Sequence, residues 1–205
     1  MSGNVSFTYN NAVGYITSTL GAISLTQANT FSGGSYIASG RLNVVNNSAL
    51  GTGRVTVGSA DTSLGFVDLA GYSVTNPFTI NGGRGVGAII NSNTTSASTA
   101  SGAITVASNA SLGGAGNLTL SGVVSTSTFG IAFVGAGNYT LNNAANSINT
   151  IGTVTATSIG SLSLVNNRDL TIGSVTVNAV AYNVLRSTCL LYTSPSPETV
   201  LDLVC

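Results

Sequence analysis

A triplet recurs along the chain: apolar, small polar, apolar. It stands at Leu42-Asn43-Val44, Val55-Thr56-Val57, Val67-Asp68-Leu69 and Phe78-Thr79-Ile80. It returns at Ile104-Thr105-Val106, Leu118-Thr119-Leu120, Ile131-Ala132-Phe133 and Tyr139-Thr140-Leu141. Leu162-Ser163-Leu164, Leu170-Thr171-Ile172 and Val175-Thr176-Val177 close the series. Successive side chains of a strand point to opposite faces, so each triplet predicts a short strand with one buried face. Thr on the outer face suits a strand, because its branched side chain packs well on a pleated surface.

Most triplets start about 8–15 residues after the last, and clusters of Gly, Asn and Ser fill the gaps. Those residues supply positive φ and side-chain-bonded turns. Short strands so spaced fit a sandwich, a barrel or a β-solenoid. Two features favour the solenoid. The connections carry no helix pattern, and the unit drifts in length while keeping its texture, as stacked coils do. A coil of two or three strands takes on the order of 20 residues, so residues 1–186 would make about nine coils. At ~4.8 Å between strands the rod would be about 40 Å long. Leu, Val and Ile would stack inside. Neither end shows a charged, Pro-protected cap, which predicts open sheet edges and a segment cut from a longer array.

Composition narrows the function classes. Only 5% of the 205 residues are charged, there is no His, and the formal net charge is zero. Phosphate backbones need clustered Lys or Arg, so nucleic acid is not an expected partner. The 26 Gly and the scarcity of Glu, Lys and Gln argue against helices. No apolar run approaches the ~18 residues of a spanning helix. The opening MSGNVSFTYNN lacks the basic and apolar regions of a signal peptide, which predicts an internal piece of a longer protein.

The texture stops near Arg186. The last stretch, STCLLYTSPSPETVLDLVC, holds both cysteines, Cys189 and Cys205, and two of the three prolines, Pro195 and Pro197. Its CLLYTSPSP resembles an in-frame translation of a transposase-type sequencing adapter. Residues 187–205 are therefore read as a non-native tail and set apart from the β-helix region 1–186.

No constellation in the remainder specifies chemistry. GGRGVG at Gly82–Gly87 lacks the following helix and partner acid of a dinucleotide loop and the Lys-Ser/Thr of a P-loop, so it reads as a Gly-rich corner. GGAGN at Gly113–Asn117 is similar to a calcium-binding nonapeptide, but Asn117 stands where an Asp ligand belongs and no tandem copy follows. Asp61 and Asp68 are the only close carboxylates before the tail; Asp68 should point outward into solvent, and two acids within several ångströms are what glycoside hydrolysis needs. Arg168 beside Asp169 reads as a surface turn pair. Thr153, Thr155 and Thr157 share a strand face, a single row and not an array. No catalytic residue, cofactor-binding residue or metal ligand is assigned, and no cofactor is expected.

One stretch carries a sharper signal. LTQANTFSGGSYIASGRLNVVNNSALG, residues 25–51, resembles the passenger-associated (autotransporter-associated) β-strand repeat. The matching residues are Leu25, Thr26, Asn29, Thr30, Phe31, Ser32, Gly33, Gly34, Gly40, Leu42, Val44, Asn47, Ala49, Leu50 and Gly51. Residues 139–175 are similar to the degenerate repeats of filamentous-haemagglutinin-type adhesins. The resemblance implies an all-β fold, a right-handed parallel β-helix, in a large protein exported through the outer membrane of a Gram-negative bacterium. It implies a structural stalk at the cell surface, with the adjacent coils of the parent protein as partners and a host-cell or surface glycan receptor as the outer target. In physical terms Leu25, Phe31, Leu42 and Val44 would pack inward, and Gly33-Gly34 and Gly40 would form corners. Asn29 and Asn47 would bond corner backbone groups. The alternative class is a carbohydrate-active or carbohydrate-binding β-helix protein.

Overall fold

The computed structural model describes residues 16–18, 21–83, 85–153, 159–177, 180–182, 191–193 and 199–203. Every element among them is a strand, and there is no helix. The strands stack in parallel as a β-solenoid of about seven turns. Three ladders run along it. The first climbs from Ile16–Ser18 through Ser35–Ile37, Val55–Val57 and Phe78–Gly82 to the start of Ile104–Gly114 and to Val124–Ser125. The second climbs from Ala22–Leu25 through Ser39–Val44, Leu64–Asp68 and Ile89–Asn91 to the far half of Ile104–Gly114. It continues through Gly130–Val134 and Thr150–Thr153 to Thr171–Ile172. The third holds Ser73–Val74, Ser98–Ala100, Leu118–Leu120, Asn138–Leu141 and Ser161–Asn166.

The triplets build these ladders as alternation dictates. In Val55-Thr56-Val57 and Leu118-Thr119-Leu120 the two apolar residues are buried and the Thr is half-exposed. Register then stacks like on like. In the second ladder Ile23, Leu42, Val67, Ile89, Leu112 and Phe133 lie one above another. Most of that column is fully buried and belongs to one continuous core with Phe78, Leu25 and Tyr139. Each such aliphatic side chain taken from water contributes ~1.5–3 kcal/mol. Parallel pairing lets every rung bond its backbone to the rung above and below. Tyr139 brings a polar tip into the core, and its hydroxyl donates to Val134 O at 2.6 Å. Its ring meets Phe133 with centroids 5.1 Å apart at 51°.

Three expectations change. The coils number about seven instead of about nine, because the repeat is longer than 20 residues in places. Ile16 pairs Ser35, an advance of 19 residues, but Phe78 pairs Ile104, an advance of 26. Val175-Thr176-Val177 is not a rung. It pairs antiparallel with Val180–Tyr182, and its valines pack with Ala132 and Val134 in a cluster separate from the core. The edge at Ser161–Asn166 is covered, but by the segment 187–205 set apart above as a tail: Thr199–Leu203 pairs antiparallel with Ser161–Asn166 and with Leu191–Thr193. Cys189, Cys205 and residues 154–157 lie outside the described residues.

Candidate functional site

The repeat-like segment spans one coil and the first part of the next, since Val44 stacks on Leu25. Leu25, Leu42, Val44, Ala49 and Leu50 are fully buried, and Phe31 nearly so. Thr26, Thr30, Ser32 and Gly33 face out. Gly34 turns the chain with a φ of 89°, and a Cβ there would collide with Arg54 O. Gly51, with a φ of 64°, sits equally tight on Phe31 O. Both positions need glycine for two reasons, handedness and space. Gly40, with a φ of 82°, falls inside Ser39–Val44, at the bend that carries the chain from the first ladder to the second.

The asparagines tie this coil to its neighbours. Asn29 is 4% exposed, and its Nδ2 donates to Gln27 O at 3.1 Å and Ala49 O at 2.8 Å. Asn47 Oδ1 accepts from the Ser73 backbone N–H at 2.9 Å, one coil on. Asn76, buried, donates from Nδ2 to Gly51 O at 3.0 Å and Gly53 O at 2.8 Å in the coil before. A turn leaves carbonyls without ladder partners, and a buried side-chain amide supplies the missing donor.

The same device continues beyond the repeat-like segment, at residues the sequence reading did not single out. Asn91 Nδ2 donates to Ser96 O and Asn117 O, both at 2.8 Å. Asn146 Oδ1 accepts from Val124 N–H at 2.8 Å, and its Nδ2 donates to Leu141 O and Val165 O. Asn166 repeats the motif one coil later, accepting from Ile148 N–H at 2.8 Å and donating to Ile148 O at 3.0 Å. A signal was available for two of them: an Asn directly after an aliphatic residue at the end of an apolar-alternating run, as in Ile90-Asn91 and Val165-Asn166, where the Asn is the last residue of its strand.

Asp68 overturns its expected place in solvent. It is fully buried and ion-paired with Arg41 of the coil before. Its Oδ1 also accepts from Ala70 N–H at 2.9 Å and Ser92 N–H at 3.1 Å. The side chain does face outward, stacked after Ser24 and Asn43 as alternation dictates, but Arg41 and the turn at Ala70, with a φ of 49°, cover it there. Arg41, 38% exposed, covers the carboxylate and reaches Ser92 Oγ at 3.4 Å. Arg41 Nε and the neighbouring Asn43 Oδ1 are buried without a hydrogen-bond partner. Asp61 does not join Asp68. The two stand at opposite ends of the strand Leu64–Asp68, which at ~3.3 Å per residue holds them more than ~10 Å apart.

The remaining motifs resolve into scaffold. In Gly82–Gly87 the amides of Gly83, Val86 and Gly87 all donate to carbonyls of the fold, so they form no open cradle. Asn117 Oδ1 accepts from Asn138 Nδ2 at 3.0 Å, one coil on. Arg168 does not pair Asp169; it donates to Asn149 Oδ1 at 3.3 Å in the coil before and to Ser127 O at 3.2 Å two coils before. Among the described residues no three His, Cys, Asp or Glu side chains group as a metal site.

The fold defines the class: a parallel β-solenoid whose coils are joined at the corners by buried polar side chains. No family model, no curated protein and no solved structure matches the chain. The family resemblance of residues 25–51 therefore rests on those residues themselves.

Proposed function

We propose that this chain is a structural segment of the β-helical stalk of a secreted or surface-displayed bacterial adhesin or autotransporter passenger. Its role is mechanical: it carries binding regions away from the cell and performs no catalysis. One observation supports this reading above the others. The side chains with the chemistry to bind or react are spent on the scaffold. Asn29, Asn76, Asn91, Asn146, Asn166 and Asp68 all bond backbone groups, most of them in a neighbouring coil. Such a unit is extended by adding coils, which suits a spacer. Its partners are then the adjacent coils of the parent protein, and receptor contact belongs to other parts of that protein.

Display tests the reading. The full chain is fused between an N-terminal epitope and an outer-membrane translocator barrel in a Gram-negative host. Intact cells are expected to bind antibody to the epitope, and added protease is expected to leave the solenoid whole. If a control passenger on the same barrel reaches the surface and this chain stays inside, the proposal fails.

A further inference from the structure

Asn81-Gly82 is the one Asn-Gly dipeptide in the chain. Gly offers no side chain to shield its backbone nitrogen, so in an open chain that nitrogen readily attacks the preceding side-chain amide. The fold opposes the attack. Asn81 lies within the strand Phe78–Gly82, whose extended backbone carries the Gly82 nitrogen away from the Asn81 amide carbon. Asn81 is 5% exposed, and its Nδ2 donates to Val57 O at 3.4 Å and Gly58 O at 3.2 Å in the coil before. Gly82 itself is walled by the carbonyls of Ala60, Asp61 and Ser63.

We propose that Asn81 is a modification site controlled by folding: its amide is locked in the closed coil and is lost by deamidation when the coil opens. The Gly82 nitrogen attacks Asn81 Cγ, and the new C–N bond closes a succinimide. The Cγ–Nδ2 bond breaks, and Nδ2 leaves as ammonia with the Gly82 amide proton. Solvent water opens the ring at either carbonyl and leaves aspartate or isoaspartate. Both products obstruct closure. Aspartate has no N–H for Val57 O and Gly58 O and sets a carboxylate in a buried site. Isoaspartate adds a backbone methylene and shifts the register of Phe78–Gly82 against Val55–Val57 and Ile104–Gly114. A chain that stays open is marked, and its return to the folded state is impaired.

Peptide mapping by mass spectrometry tests this on the full chain. Trypsin cuts after Arg54 and Arg84, so one peptide holds both Asn76 and Asn81. Asn76 precedes Pro77, which has no N–H to attack, so a one-dalton gain in that peptide reports Asn81. The chain is kept in mildly alkaline buffer, folded or in urea. The gain is expected to accumulate at least about tenfold faster in urea, because reaction in the folded chain must wait for local opening. Equal rates, or no gain in either sample, overturn the proposal. Asn81→Asp, the product made directly, is expected to lower the urea midpoint, whereas Asn81→Gln should suppress the gain in urea. An Asn81→Asp chain with the wild-type midpoint removes the claim that the mark obstructs closure.

Discussion

The outer face of the second ladder changes character along the rod, while its inner face does not. On the inside, every rung from Ile23 to Phe133 presents an aliphatic or aromatic side chain. On the outside, one stacked position reads Ser24, Asn43 and Asp68 and then Ile90, Gly113 and Val134. The polar end is closed by the Arg41–Asp68 pair. The apolar end is closed by the ribbon of Val175–Val177 and Val180–Tyr182. The contrast teaches that the core fixes one side of each strand and that the covering segment fixes the other.

If that is correct, breaking the polar closure carries the largest cost. Asp68→Ala strands the Ala70 and Ser92 amides and leaves Arg41 without its partner. Losing a buried acceptor costs about 1–3 kcal/mol for each donor left unpaired, so about 3 kcal/mol is expected in a urea titration. Asp68→Asn keeps an acceptor for the two amides and should cost less. A wild-type midpoint for Asp68→Ala would mean that the carboxylate does not hold the coils together.

The apolar closure should be weaker and local. Val175→Thr with Val177→Thr buries two hydroxyls against Ala132 and Val134, where no apolar neighbour can bond them. The ribbon can escape the penalty by leaving, so the global cost is expected to stop at about 2 kcal/mol. Hydrogen exchange should then speed up in residues 175–177 and stay slow in Leu112. Acceleration spread evenly over both would show that the ribbon is integral to the solenoid and not a cover on it.

The same contrast explains what the sequence could reveal. The inner columns are legible, because alternation in triplets such as Val55-Thr56-Val57 depends only on neighbours in the chain. The outer cover depends on register between coils. Arg41 meets Asp68, 27 residues on, because Arg41 pairs with Phe66. No local pattern encodes that advance, since it ranges from 19 to 28 residues between rungs, the extremes being Ile16 to Ser35 and Gly82 to Ala110. Ala132 in Ile131-Ala132-Phe133 is buried for the same reason, under valines from a later segment. Asn29 could be named from its repeat, but Asn146 could not, because its partners Val124 N–H and Val165 O lie a coil away on either side. Asn81-Gly82 shows local signal overruled: the dipeptide that favours a hairpin ends a strand in a parallel ladder.

The smallest effect comes from inside the apolar half, where one hydroxyl holds backbone that the ribbon covers from without. Tyr139 donates to Val134 O at 2.6 Å and also reaches Gly114 O at 3.3 Å. Tyr139→Phe keeps the ring against Phe133 and removes the donor, which should cost about 1 kcal/mol near neutral pH. Burial pushes the phenol well above its ordinary value of 10.0, since the core disfavours the anion. A group whose pKa is raised by folding gives its full stabilisation below the unfolded value. That stabilisation is lost as pH climbs from the unfolded value toward the folded one. The wild-type urea midpoint should therefore fall above about pH 10 more steeply than that of Tyr139→Phe, and the two curves should converge. Curves that stay parallel through that range would mean that Tyr139 ionises as freely in the folded chain as in the unfolded one. The hydroxyl would then not be sealed between the two ladders, and the apolar half would rest on its outer ribbon alone.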